Sequence, residues 1–468
     1  MNRLIDIRAI DRQKHRRSHG TNAPTTWNFD IRELNREFAL VLMGSKAVVI
    51  YEQSTAPIED RVRILSLPAF RSWFLNRFTE IRDRDGRVKS VTWASAWLAD
   101  DRRRQYRGIE FYPDPAGKTG TDGYFNLWRG FSVVPNHQAG HYTIFKDHLL
   151  NNLCSGDKDL YHWVFGWFSH MVQRPRERIG TALVCRGKMG TGKTKIGEVF
   201  GSLFPQHYFL MDDPRYLVGQ FNAHMASCLL LQADEGFWAG EKAAEGRLKG
   251  LITADYQMIE AKGIDPIRLK NYLRLLITSN EDWVIPAGKD ERRFCVLDIS
   301  PRCAQNHGYF REMEEELASG GREALLADLL AFDLTTINLR QIPRTEALLE
   351  QKLRSLDSIE SWWLERLRAG TSTRSGETWA RLIPCSTLLD DYIATADRTG
   401  IKRKAEETSF GIKIGHLIPG IRRVRRSVGM EYPTTRVWCY HLPDLEKCRE
   451  AFEAELSQAV SWDEADEE

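Results

Sequence analysis

Residues 187–194 read GKMGTGKT, a spacing of glycines, lysine and threonine that can wrap a phosphate group. Gly187, Gly190 and Gly192 let the backbone curl so that successive N–H groups, that of Thr191 among them, point at one anion. Lys193 adds a mobile positive charge, and the Thr194 hydroxyl can complete a Mg²⁺ shell. The ligand this chemistry fits is ATP, or GTP by the same contacts, with Mg²⁺. The bland alternative is a glycine turn on a surface loop. Its flanks argue against that: the apolar run 181–185 precedes the loop as a strand would. Ile196, Val199, Phe200 and Leu203 follow at helical spacing, so the positive end of the helix dipole would face the phosphates.

Hydrolysis needs a second, acidic element on a neighbouring buried strand. Residues 228–235 read CLLLQADE, a near-continuous apolar run of the kind a parallel strand buried on both faces requires. Asp234 would hold Mg²⁺, directly or through water, and Glu235 would orient and polarise the attacking water. A third apolar run, 273–280, ends in Thr278-Ser279-Asn280. Asn280 can donate to a γ-phosphate oxygen, although an Asn ending a strand is in isolation a turn residue. The run 290–294, DERRF, then leads into a fourth strand. Adjacent arginines there are an ordinary surface pair, or one of them completes the site of a neighbouring subunit by neutralising charge on the transferring phosphoryl group. The spacing does not choose between Arg292 and Arg293.

The order and spacing of these motifs resemble superfamily 3 helicases, nearest the helicase part of phage and prophage primase–helicase and primase–polymerase proteins. The motifs are residues 187–194, the Asp234-Glu235 strand end, 251–262, 278–280 and 290–294. Softer similarity extends to YFNLWRGF at 124–131, RVWCYHLP at 436–443 and Cys448-Arg449. The resemblance implies an α/β fold: a P-loop, AAA+-like ATPase core with an α+β N-terminal domain and a C-terminal winged-helix-like domain. It also implies a homo-hexameric ring that draws single-stranded or forked DNA through its centre, 3′ to 5′. Such a family carries a DNA-gripping hairpin between the acidic strand and the Asn280 strand. In this chain Lys262 and Lys270 are its candidate backbone contacts, or else solvated hairpin lysines. Gly263 and Asp265-Pro266 supply turn chemistry there. The N-terminal third has neither an acidic polymerase triad nor a zinc motif, so a separate primase or polymerase is the expected partner.

The C-terminal region concentrates positive charge in Lys402-Arg403-Lys404, Lys413, Arg422, Arg423, Arg425 and Arg426. A winged helix would contact phosphates through them with limited base readout; a small docking domain with solvated charges is the alternative. The chain of 468 residues has a formal net charge of +2, so any nucleic-acid surface must be local. Eight scattered cysteines without a CxxC pair suggest reduced thiols and no zinc site. Apolar runs are too short for a bilayer span, and a cytoplasmic protein of phage or prophage origin in a bacterial host is expected.

Length predicts several domains. The expected organisation is a basic, poorly ordered arm over 1–26, an α+β domain over 27–150 and the ATPase over 151–300. A helical region over 301–370, a winged-helix-like domain over 371–455 and an acidic tail over 456–468 complete it. The aromatic-rich segment 108–134 reads as domain packing, with base stacking as the alternative. The function expected is an ATP-dependent DNA helicase or translocase; a nucleotide-dependent DNA-binding loader or initiator that never displaces a strand is the competing reading.

Overall fold

The computed structural model describes residues 29–82, 85–213, 222–234, 242–261, 264–428 and 435–462. The chain divides into two compact units, residues 1–109 with 123–125 and residues 110–122 with 126–468.

In the first unit, strands Phe38–Met43 and Lys46–Glu52 pair antiparallel across the Gly44-Ser45 turn, where Gly44 takes a φ of +56°. Val62–Ser66 extends that sheet on one side and Gln105–Tyr106 on the other. Phe38, Phe70, Phe74 and Trp97 form an aromatic core beneath it.

The second unit is built on a five-stranded sheet. After the short helical segments Thr143–Asp147 and His148–Leu153 come helix α1 (Lys158–Gln173), strand β1 (Ala182–Arg186), helix α2 (Lys193–Gly201), β2 (Tyr208–Met211) and β3 (Leu230–Asp234). Helix α3 (Lys242–Thr253), the antiparallel pair β4 (Tyr256–Ala261) and β5 (Ile264–Lys270), then β6 (Arg274–Ser279) and β7 (Phe294–Asp298) follow. The sheet runs β2-β3-β6-β1-β7 and every pairing in it is parallel. All five carboxyl ends therefore share one edge. Strands buried on both faces explain why β1 is apolar up to its last residue and why the middle of β6, Leu275–Ile277, is apolar without alternation. Trp167, Phe168 and Met171 of α1 are fully buried, and Phe168 stacks on Phe200 of α2.

Helices α4 (His307–Glu316), α5 (Arg322–Ala331), α6 (Glu346–Arg354) and α7 (Ser358–Ala369) succeed the sheet. Within the helical region expected over 301–370, the chain breaks between α4 and α5 at Ser319 and Gly320, the latter at φ +94°. It breaks again between α6 and α7, where Asp357 caps α7 in a reciprocal box with Glu360. The C-terminal part holds β8 (Leu382–Pro384), α8 (Cys385–Arg398), α9 (Glu407–Leu417), β9 (Arg422–Val428), β10 (Thr435–His441) and α10 (Leu445–Leu456). Its antiparallel sheet is ordered β8-β10-β9 and covers a core of Trp362, Trp363, Tyr392 and Phe410. Asp265 and Pro266, expected in the hairpin turn, instead belong to β5.

Three histidines in this unit are buried and held neutral. His207 Nδ1 donates to the Ser227 carbonyl at 2.8 Å while Nε2 accepts from the Arg129 amide at 2.9 Å. A second proton on that ring would oppose two N–H groups. His148 Nδ1 likewise accepts from Asn152 at 2.9 Å. His170 Nδ1 faces an Arg274 N–H at 3.4 Å. Burial pushes His148 and His207 down to about 4 and His170 to about 3. Since the unfolded chain takes up these protons near pH 6.5 and the folded one far lower, this stability is complete above pH 6.5 and is lost as pH falls towards 4. The expected loss between pH 7 and 5.5 is roughly 1 kcal/mol per histidine, read as a fall in the urea midpoint. A midpoint flat across that window would show the rings to take up protons as readily in the folded protein as in the unfolded chain.

Candidate functional site

The glycine loop emerges from the carboxyl end of β1 and delivers Lys193 and Thr194 to the first turn of α2. Gly192 caps that helix at φ +87°, in the left-handed region that favours glycine. A Cβ there would lie 2.6 Å from the Phe310 ring and 2.8 Å from His148. His148 Nε2 in turn approaches the Gly192 carbonyl at 3.3 Å, so the neutral ring braces the loop from below. Gly187 N–H donates to the Ser279 carbonyl at 3.1 Å and ties the loop's start to β6. Lys188, Met189 and Gly190 at its crest are exposed.

Four of the residues singled out by sequence converge here. Lys193 Nζ donates to the Gly187 and Lys188 carbonyls at 2.8 Å each and to Asn280 Oδ1 at 2.6 Å. Thr194 Oγ1 donates to Asp234 Oδ2 at 2.9 Å. The other Asp234 oxygen accepts from Thr278 Oγ1 at 2.5 Å. Thr278 is directly opposite Asp234 in the β3–β6 register and fully buried. Its hydroxyl fixes the carboxylate, a task the apolar run around it did not advertise. Thr191 Oγ1 closes the loop on the Lys188 carbonyl at 2.9 Å.

Beneath these residues lies Gln232, wholly buried in β3. Its amide donates to the Thr194 carbonyl at 3.2 Å, and its Oε1 accepts from the Tyr208 hydroxyl at 2.6 Å. Arg186, the last residue of β1, is buried and forks onto Asp298 with two bonds of 2.7 Å. It also donates to the Asp282 carbonyl at 2.7 Å and pairs with Glu350 of α6. These carboxylates raise its pKa further above the usual guanidinium value.

Other expected residues lie elsewhere. Arg292 and Arg293 precede β7, at the amino edge of the sheet, where the Arg293 carbonyl accepts from Ala182 N–H at 2.7 Å. A five-residue strand, about 15 Å, separates them from the loop on the same sheet. Arg292 is exposed, whereas Arg293 is half-buried with its guanidinium 3.7 Å from Glu291. Lys270 is exposed at the end of β5, its ammonium 5.1 Å from the Tyr256 ring centroid, with Arg268 at 3.8 Å from the same ring. Arg422, Arg423, Arg425 and Arg426 are all exposed on β9. Glu235 and Lys262, with the basic arm to residue 26, fall outside the described residues, as does the acidic run 463–468.

The region from the end of β1 to the start of β7, residues 185–293, matches a family of unknown function, DUF5906. Over 257 residues, 54% of its length, the chain is 23% identical to the DNA primase-polymerase of Nitratiruptor phage NrS-1. The chain is homologous to a phage DNA primase-polymerase. It spans 35% of that relative's length. Apo structures of the C-terminal region of NrS-1 superpose with TM-scores of 0.63 and 0.61 at 16% identity. The first covers 90% of this chain and 100% of the other, so the fold is shared nearly end to end. No described helix is long and apolar enough to cross a membrane.

The tight quarters around the loop yield a stability prediction. Gly192→Ala should cost about 1–3 kcal/mol, through both the positive φ and the Phe310 and His148 contacts, and lower the melting temperature. Gly246→Ala, in α3 with nothing within 4 Å of the new Cβ, should be neutral or stabilise by up to about 1 kcal/mol. Equal melting temperatures for the two variants would contradict this packing.

Proposed function

We propose that this protein is an ATP-driven motor on DNA, acting in phage or prophage replication, with each ATP hydrolysed between neighbouring subunits of a ring. The observation carrying the reading is the convergence of Lys193, Thr194, Asp234 and Asn280 at one edge of a parallel sheet. In open α/β sheets ligands bind in that crevice, outside the carboxyl ends of the strands.

The loop's amides and Lys193 would bind the β- and γ-phosphates, a charged ligand for an ammonium now resting partly on carbonyl oxygens. A hydroxyl and a carboxylate oxygen 2.9 Å apart form a hard-oxygen pair suited to Mg²⁺. Thr194 and Asp234 would hold that ion, which supplies charge neutralisation at the phosphate oxygens. Asn280 would contact the γ-phosphate and Glu235 would orient water. Each step asks for positioning and charge, not for a covalent intermediate.

An arginine about a strand's length from its own loop cannot serve that loop, but it can serve another subunit's. Arg292, exposed, fits the part better than Arg293, which Glu291 engages. The exposed face of the β4–β5 hairpin carries Tyr256, Met258, Arg268 and Lys270, a cationic and aromatic surface suited to a DNA strand. Homology to a phage primase-polymerase supports replication as the setting. The C-terminal helices and β9–β10 would act as a winged-helix-like DNA-binding module.

The decisive assay is ATP-driven displacement on 3′-tailed and 5′-tailed forks. Unwinding of the 3′-tailed fork alone is expected, abolished by Glu235→Gln and lowered at least about 100-fold by Asp234→Asn. Arg292→Ala should abolish hydrolysis while nucleotide binding persists, and dilution should do the same. DNA-stimulated hydrolysis without displacement on either fork would mark a loader. Constant activity per subunit down to monomer would remove the ring.

A further inference from the structure

The C-terminal sheet exposes an aromatic side chain in the middle of its positive charge. Trp438 of β10 is 48% exposed. Arg425 sits directly opposite it in the antiparallel register, and Arg423 is its diagonal neighbour, opposite Tyr440. Both guanidinium groups lie over the indole, with Arg423 Cζ 5.4 Å and Arg425 Cζ 5.6 Å from its centroid. Arg422, Arg426 and Arg436 are exposed on the same two strands.

Charge pairing separates this hairpin from its surroundings. Arg398 pairs with Glu365, Lys404 with Asp397, Lys413 with Glu360 and Arg449 with Glu446. Among the described residues, no carboxylate pairs with any of the five hairpin arginines. Acids are thus plentiful in this part of the fold but engaged elsewhere. Five cations gathered on two paired strands repel one another, a cost that a bound polyanion removes. Tyr440, two residues on and therefore on the same face of β10, is buried in the C-terminal core, whereas Trp438 is left outside that core with its indole in water.

We propose that Trp438 stacks on an unpaired base of single-stranded DNA, clasped by Arg423 and Arg425, while Arg436, on the same face of the sheet, holds an adjoining phosphate. This rests on the DNA-acting reading above for the class of ligand and extends it from phosphate contact to selection of unpaired strand. A flat indole needs a base whose face is open, and duplex stacking closes both faces. An anionic bilayer would also attract arginines and an indole. One aromatic ring among five arginines, without a wider apolar face, suits a nucleotide strand better than membrane insertion.

The test uses the full chain without nucleotide, by anisotropy of a labelled oligothymidylate, an abasic oligomer of equal length and a blunt duplex. Trp438→Ala should weaken oligothymidylate binding on the order of 10-fold and leave the abasic oligomer and the duplex within about 2-fold. Trp438→Phe, which keeps a stacking ring, should recover most of the affinity. Arg436→Ala should weaken oligothymidylate and abasic oligomer alike and lower the salt slope by about one. The proposal is overturned if Trp438→Ala binds oligothymidylate as wild type does, or weakens the abasic oligomer equally. It is also overturned if Trp438→Phe is as weak as Trp438→Ala with thermal unfolding unaltered, or if phosphatidylserine vesicles and not oligothymidylate bind through Trp438. Because ATP is absent, Trp438-dependent binding without strand displacement would keep this site while removing the motor.

Discussion

Parallel register across three adjacent strands is the constraint on which the site depends. The β6 strand lies between the one bearing Asp234 and the one that launches the glycine loop. Thr278 therefore faces Asp234 on one side, while Ser279 faces Arg186 on the other. Thr194 must reach across β6 to meet Asp234, which it can do only if α2 lies close on the sheet. That closeness comes from Gly197, where a Cβ would fall 1.8 Å from Gln232 Oε1. Gln232 fills the space, bonded to the Thr194 carbonyl and the Tyr208 hydroxyl. A buried amide is tolerated there because its partners are fixed. Slipping β3 by one residue would strand it and turn Asp234 away from the loop.

Much of this arrangement could be read in the sequence because each part obeys a local rule. The loop has its glycines, the buried strands are apolar without alternation, and their polar ends mark where each run stops. The first hairpin shows itself through Gly44, and the helix at 407–417 through Phe410, Ile414 and Leu417 despite two glycines. What stayed hidden was lateral. Thr278, Gln232 and His148 gain their roles from neighbours far away in sequence, and a buried threonine within an apolar run has no periodic signature. Asp265 and Pro266 looked like a turn because their types favour one, yet they lie within β5, at the irregularity where its register with β4 shifts between Ile259 and Ala261. A proline and its neighbour at such an irregularity forfeit no ladder hydrogen bond.

The same sheet also separates what it does not gather. Parallel strands put the loop, Asp234 and Asn280 at one edge and Arg292 at the opposite edge. Between Asn280 and Arg292 the chain is clamped to the helices that follow the sheet. Gln351 of α6 accepts from the Val284 amide at 2.8 Å and donates to the Asp282 carbonyl at 2.6 Å. Further along, Lys289 reaches Glu360 of α7 at 2.6 Å and also pairs with Glu455 of α10. Lys413 of α9 meets the same Glu360 at 2.5 Å. Glu360 is almost wholly buried, so losing either lysine leaves a poorly compensated charge.

Through Glu360, the segment carrying Arg292 and the C-terminal helix that precedes β9 share one anchor. A displacement of Arg292 must either carry α7 and α9 with it or break ion pairs that water reaches poorly. The two helices also pack on each other through Trp362 and Phe410, with ring centroids 5.6 Å apart. Packing and charge together therefore join the segment before Arg292 to the helices that support the β9–β10 hairpin.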